Sequence, residues 1–198
     1  MQPDLFNHAD SLPEGFLYRK NFLGPAEEAA LLRQIEALPL HEASYKQWTA
    51  KRRIVAYGGS YDFSRSKLLD AQPMAAFLQP LRDRVAEWAG MPASEFEHAM
   101  IAEYRPGTQL GWHRDVPDFE VVVGVSLAGE ARMRFRPYPP SAEIARATKV
   151  LDLEPRSAYV LRGPARWQWQ HAISPTKSLR YSITFRSLAK ERWHGSSN

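Results

Sequence analysis

Two spacings of apolar residues divide this chain. In its first half they recur at helical intervals in two places. Gly24-Pro25 opens the first helix, with proline preset at the first helical position and Glu27 and Glu28 facing the N-terminal dipole. Leu31, Leu32, Ile35 and Leu38 form its apolar side, and Pro39 ends it. The second helix starts at Pro73 and carries a stripe of Met74, Phe77, Leu78, Leu81, Val85 and Trp88. It stops at Gly90. Around these helices, residues 15–22 predict a short aromatic strand after a polar lead-in. Residues 45–48 and 54–57 predict two strands on either side of a basic segment, Lys51-Arg52-Arg53. An aromatic, glycine-hinged loop, Tyr57-Gly58-Gly59-Ser60-Tyr61, follows.

From His98 the texture changes to short alternating runs broken by turn formers. Strands are predicted at 98–105, 109–113, 120–127, 131–136, 148–154, 157–162, 166–171 and 180–187. Eight strands with no helix between them argue for two packed antiparallel sheets. The expected fold is α+β, mainly β: a double-stranded β-helix, or jelly-roll barrel, buttressed by N-terminal helices. One domain is expected over 1–198, with a helix-bearing segment at 1–97, a barrel core at 98–187 and a polar tail at 188–198.

Composition narrows the chemistry. With no cysteine, disulfides and thiolate metal sites are excluded, so ligands must come from the six histidines and the carboxylates. That donor set favours a harder ion such as iron over a structural zinc cage. No apolar run reaches membrane-spanning length and the N-terminus is polar, so a soluble, cytoplasmic protein with no membrane partner, most simply a monomer, is expected. The net charge of +4 is uneven. Residues 1–99 carry 11 Lys/Arg against 13 Asp/Glu, and residues 100–198 carry 15 against 9. A positive half suits an anionic partner, nucleic acid among them; the plain alternative is a solvated face.

The segment Gly111-Trp112-His113-Arg114-Asp115 places a histidine and a carboxylate two residues apart. On extended backbone, such positions share a face. Two histidines and one carboxylate with open positions form the usual cage for oxygen-activating non-haem iron. His171 is the best third ligand. His194 sits in the polar tail, and His8, His41 and His98 precede the barrel core. Nine residues later, the stretch from Arg180 to Arg186 alternates without a break. Tyr181, Ile183 and Phe185 take one face; Arg180, Ser182, Thr184 and Arg186 take the other. Arginines confined in a barrel need anions, and carboxylates suit them through bidentate geometry. About 20 Å of strand separates Arg180 from Arg186, a gap that two extended arginines and a short dicarboxylate can span. Iron ligands and a dicarboxylate cradle in one barrel suggest 2-oxoglutarate.

These residues, with Tyr104-Arg105-Pro106-Gly107 ahead of them, resemble the AlkB family of Fe(II)/2-oxoglutarate dioxygenases over roughly residues 45–187. The resemblance implies that His113, Asp115 and His171 hold iron. Arg180 and Arg186 would bind the two ends of 2-oxoglutarate, with Tyr104 and Ser182 beside them. It also implies that the N-terminal half forms a nucleotide-recognition lid. There Trp48, Tyr57, Tyr61 and Arg53 are candidates to contact a single-stranded or flipped base, the alternative being core aromatics. Three positions depart from the family pattern: Ser182 and Ala102 stand where asparagine is usual, and Pro117 where some members are acidic. The implied activity is oxidative demethylation of alkylated bases in DNA or RNA. A 2-oxoglutarate-dependent hydroxylase of a small molecule or protein residue is the alternative, and a non-enzymatic jelly-roll binding module the more distant one.

Overall fold

The computed structural model describes residues 12–45, 48–58, 60–62, 67–69, 72–140 and 148–189; the side chains at 43–50 and 59–71 lie outside that description. The first half contains β1 (Phe16–Arg19), α1 (Pro25–Glu36), β2 (His41–Tyr45), β3 (Trp48–Tyr57), β4 (Ser60–Asp62), β5 (Lys67–Leu69) and α2 (Gln79–Ala89). The second contains β6 (His98–Tyr104), β7 (Leu110–His113), β8 (Phe119–Leu127), β9 (Ala131–Pro137), β10 (Lys149–Leu153), β11 (Ala158–Leu161), α3 (Pro164–Trp167), β12 (Trp169–Ile173) and β13 (Arg180–Leu188). A major sheet runs β1-β11-β8-β13-β6-β3-β2 and a minor sheet β10-β9-β12-β7, while β4 and β5 form a hairpin. Strands from β6 onward alternate between the two sheets except at the β9–β10 pair, both in the minor sheet, which is the double-stranded β-helix expected from the pattern.

The major sheet is covered on both sides, and its strands show it. In β8, Val121, Val123, Val125 and Leu127 pack toward α1 and α2 in one core. Val122 points the other way, into a second core between the sheets with Phe16, Met133, Phe135, Leu161 and Ile173. A strand buried on both faces reads as a continuous apolar run, as Val121 to Val125 does. In β13 the helix-side positions Tyr181, Ile183 and Phe185 join the first core. Arg180, Ser182, Thr184 and Arg186 line the barrel interior, each at most 8% exposed.

Three local expectations change. The continuous part of the second helix begins at Gln79, after a 3-10 turn at Ala76–Leu78, not at Pro73. Pro80 explains this, because proline is tolerated only in a helix's first turn. The two strands expected around Lys51-Arg52-Arg53 are one strand, β3, paired with β2 on one side and β6 on the other. Arg53 lies opposite Glu103 in that pairing, 3.6 Å away, so one cation of the basic segment finds its counter-charge within the sheet. The strand expected at 166–171 is instead a helical turn, α3, followed by β12. Gly163, at φ 53, and Pro164 at the first helical position set that turn. Among the described residues, no helix is long and apolar enough to cross a membrane.

Ile183 is fully buried on the helix side of the strand whose other face carries the arginines. Ile183→Ala is expected to cost about 2–5 kcal/mol in denaturant unfolding. Metal affinity of the folded fraction should stay unchanged, because its neighbours Ser182 and Thr184 still face the barrel.

Candidate metal centre and cofactor cradle

His113 ends β7 and His171 sits in the middle of β12. The two strands pair so that these residues lie directly opposite each other, with ring centroids 4.2 Å apart. Asp115 lies beyond the end of β7, in the connection to β8, yet it still turns inward: its Oδ2 is 3.7 Å from His171 Nε2. One ligand atom from each of the three residues falls within 4.8 Å of the others. His113 Nδ1 donates to the Gly111 carbonyl at 2.8 Å, which leaves Nε2 as the bare lone pair. Asp115 Oδ2 is buried without a hydrogen-bond partner. A buried carboxylate oxygen left unpaired next to two imidazoles is the arrangement a cation would satisfy.

Electrostatics holds the three groups in their ligating forms. Burial pulls the His171 imidazole down to about 3, helped by His113 and opposed by Asp115. Burial also lowers His113, against the attraction of Asp115. For Asp115, burial alone would raise the carboxyl. Arg186 and the two imidazoles, with Arg166, outweigh it and hold it well below the usual carboxylate range.

The interior face of β13 lies beneath this cluster. Arg186 Nε donates to Asp115 Oδ1 at 3.3 Å, and its NH1 is 3.3 Å from Nδ1 of His98, its partner across β6. Arg180 is 1% exposed; its Nε donates to Ser126 Oγ at 2.9 Å and its guanidinium sits 5.0 Å from the Tyr104 ring. No carboxylate pairs with Arg180 among the described residues. A buried cation without an anion leaves a strong demand for one, which a ligand carboxylate would meet. Ser182 faces the same interior, and its register partner on β6 is Ala102. Two of the three departures from the family pattern are therefore neighbours, and both are small.

Several residues here went unnoticed in the sequence. Tyr159 on β11 lies opposite Gly124 on β8. A Cβ at Gly124 would meet the Tyr159 ring at 2.2 Å and its hydroxyl at 2.4 Å, so the ring lies across β8 only because that position is glycine. Burial pushes the Tyr159 phenol up to about 12, with Arg180 pulling the other way. A lone glycine among valines was the available signal, since it marks close approach in a strand. Arg166, on α3, is 2% exposed, and its NH2 donates to the carbonyls of Val116 at 2.6 Å and Phe119 at 2.8 Å. It thereby pins the loop that carries Asp115. Trp167 Nε1 adds a bond to Glu120 at 3.0 Å.

The lid candidates separate by strand parity. Tyr57 pairs with Ala99 on β6 and is 4% exposed in the core beneath the helices. Arg53 points to Glu103. Neither reaches the triad. Their neighbour Arg52 has the opposite parity, its Nε is buried without a hydrogen-bond partner, and its charge acts on His113. The side chains of Trp48 and Tyr61 lie outside the described residues.

A double-stranded β-helix with a His-x-Asp and a distant His at one end, above a buried unpaired arginine, has the construction of a non-haem iron oxygenase. Comparison with known proteins reaches the same class. The family model for the 2OG-Fe(II) oxygenase superfamily matches residues 15–186. The alpha-ketoglutarate-dependent dioxygenase AlkB of Escherichia coli K12 is 30% identical over 155 residues, covering 73% of this chain and 68% of that protein. The alkylated DNA repair protein ALKBH8 homolog of Arabidopsis thaliana is 30% identical over 184 residues, 80% of this chain and 50% of its own length. An uncharacterized protein, L905, of Acanthamoeba polyphaga mimivirus is 33% identical over 109 residues, 48% of this chain and 50% of its own. This chain thus spans about half the length of the plant and viral relatives. The solved structure of OsALKBH1 superposes with a TM-score of 0.71 at 15% identity, over 89% of this chain and 99% of that one. The chain belongs to the 2OG-Fe(II) oxygenase superfamily, in its AlkB-like branch. Its cofactors are Fe(II) and 2-oxoglutarate. The donor set and the unpaired Arg180 fit both.

Two expectations follow. His171 takes a proton near 6.5 in the unfolded chain but only near 3 when folded. Between those values the unfolded state binds more protons, so acid favours unfolding. Asp115 acts in the same direction below its ordinary range. Thermal melts of the metal-free protein should show stability falling as pH drops from about 6.5, on the order of 1 kcal/mol per pH unit. A melting temperature unchanged between neutral pH and pH near 4.5 would contradict buried neutral histidines. Gly124→Ala is expected to displace the Tyr159 ring at a cost of about 1–3 kcal/mol. Calorimetric titration should show weaker 2-oxoglutarate binding with Mn(II) affinity retained.

Proposed function

We propose that this chain is an Fe(II)/2-oxoglutarate-dependent dioxygenase that oxidatively dealkylates alkylated bases in nucleic acid. One observation supports it above the rest. The His113–Asp115–His171 cluster, with an unpartnered carboxylate oxygen, shares the barrel interior with a fully buried arginine that has no anion among the described residues. The substrate class draws on the relatives. The Arabidopsis protein is named for alkylated DNA repair, and a Danio rerio relative, 22% identical over 171 residues, as a probable RNA/DNA demethylase. A sequence pI near 9.4 agrees with a polyanionic substrate.

In this reading His113 Nε2, Asp115 and His171 hold the iron, and the Gly111 carbonyl fixes the tautomer of His113. Arg180, with Tyr104 and Tyr159 beside it, takes one carboxylate of 2-oxoglutarate. Arg186 faces the other end and steadies Asp115 at the same time. Ser182 is too short to replace an asparagine amide directly, so its contact runs through water. Iron and 2-oxoglutarate bound there would let the site use O2 as co-substrate, one oxygen atom going to an N-alkyl carbon and the other into succinate. The hydroxylated carbon leaves as an aldehyde, and succinate and carbon dioxide are the co-products. The chain's own part is to position and to exclude water. Strands β2 to β5 form the lid over the base, with Arg52 as its inward-facing cation.

Methylated single-stranded DNA and RNA oligonucleotides, incubated with enzyme, Fe(II) and 2-oxoglutarate, should yield formaldehyde and succinate in equal amounts. Asp115→Ala should lower both by about 100-fold or more while the protein stays folded. Succinate release with no loss of methyl from any oligonucleotide would move the substrate elsewhere, and full turnover by Asp115→Ala would remove the iron cluster from the reaction.

A further inference from the structure

The outer face of the minor sheet, on the far side from the iron cluster, carries a row of arginines that this chemistry does not use. In β9 the buried residues Ala131, Met133 and Phe135 point into the barrel. The intervening Arg132, Arg134 and Arg136 point outward. Trp112, the neighbour of inward-facing His113, lies on the same outer side at the edge strand β7. Arg134 and Arg136 extend across β12 onto its ring, at 4.9 and 4.6 Å from the centroid. Ala172, opposite Arg134, is fully buried beneath them and small enough to let them cross. Arg136 is held further by its bond to Gln170 at 2.7 Å. At the end of the sheet nearest the iron cluster, Arg114 stacks on Tyr138 at 3.8 Å. Only Arg132, at the distal end, is neutralised, by Asp152 at 2.8 Å. No carboxylate pairs with Arg114, Arg134 or Arg136 among the described residues.

Guanidinium groups held over an aromatic ring are preorganised. Arg136 spends its Nε on Gln170 and Arg114 one Nη on the Trp167 carbonyl, which leaves their other N–H groups for phosphate oxygens. Arg134 and Arg136 are alternate residues of β9, roughly 6.7 Å apart along the backbone, and both converge on Trp112, with Arg114 beyond the end of β7, so three cations line one track. A backbone of evenly repeated single charges complements such a track better than isolated carboxylates do. We propose that this face binds the phosphate backbone of a nucleic-acid strand whose target base occupies the iron site. The strand passes from the mouth around the β7 edge, meeting Arg114 first and then Arg136 and Arg134. This inference rests on the nucleic-acid reading above and adds to it a second contact surface, behind the barrel.

The test is the double variant Arg134→Gln/Arg136→Gln, with Arg134→Lys/Arg136→Lys as the charge-preserving control. Binding and turnover are measured on a methylated single strand of about 15 nucleotides and on a methylated trinucleotide too short to leave the mouth. For the longer strand, the Gln variant should bind about tenfold or more weakly. Its plot of log affinity against log salt should flatten by about 1 to 2 units, which corresponds to two lost phosphate contacts. Turnover of the trinucleotide should match the unaltered protein, and the Lys variant should retain most of the affinity. Equal affinity and salt slope for the Gln variant and the unaltered protein would overturn the track. So would polyglutamate competing as well as the oligonucleotide, because the face would then read charge on an acidic polypeptide. Trinucleotide turnover that falls in step with the longer strand would also overturn it. If the unaltered protein neither binds nor turns over either oligonucleotide, both this inference and the nucleic-acid reading fall; turnover of the trinucleotide alone removes only the track.

Discussion

Two guanidinium groups buried on the inner face of β13 set the terms for the rest of this barrel. A charge removed from water must be met by an opposite charge or by several hydrogen bonds. Arg186 is met by Asp115, and that contact draws a loop carboxylate into line with two imidazoles on paired strands. Arg180 is met by a serine hydroxyl and an aromatic face, with no anion among the described residues. The first arginine is satisfied within the chain and organises the metal site. The second keeps a demand that a dicarboxylate would meet.

The scaffold around these charges explains how they stay buried. The helices cover one side of the major sheet, so its β13 strand can devote its other side to polar groups without exposing them. The minor sheet closes over that side and brings His113 and His171 with it. Asp115 is the weak point, since it sits beyond the end of β7 with no ladder bonds of its own to fix it. The turn α3 compensates. Arg166 grips two carbonyls of the Asp115 loop, and Arg114 reaches back to the Trp167 carbonyl at 2.8 Å. Loop and turn therefore hold each other, and β12, which carries His171, starts from that junction.

The departures from the AlkB pattern fall where they bear on the cofactor more than on the metal. Ser182 and Ala102 are register partners on β13 and β6, so both reductions in size open the same side of the cradle. Tyr159, reaching over Gly124 into the neighbourhood of Arg180, lies on the opposite side of β13 from that opening. Pro117 lies exposed in the loop that Arg166 anchors, beside the metal ligand but outside the cradle.

Much of this was written into local pattern. Alternation in the stretch from Arg180 to Arg186 fixed which side chains share a face. The spacing of His113 and Asp115 predicted that they point together, but Asp115 lies beyond β7, and it is Arg186 and the loop held by Arg166 that turn it inward. Turn formers marked the strands from His98 onward. The sequence could not say which face of β3 meets the site. Period two gives each residue's side relative to its neighbours, not relative to the barrel, and on a sheet covered on both sides apolar residues occur on each. The parity was decided by the pairing of β3 with β6, which turned Tyr57 and Arg53 to the helix side and Arg52 to the other. Likewise Tyr159, Arg166 and the arginine row beside Trp112 gain their roles only from strands distant in the chain. The sequence by itself determined the strand pattern of the barrel, the His113–Asp115 spacing and the paired arginines, because each is a local repeat or a short spacing. Tertiary structure alone decided which faces turn inward and which distant residues meet, because those depend on register between strands that no local pattern encodes.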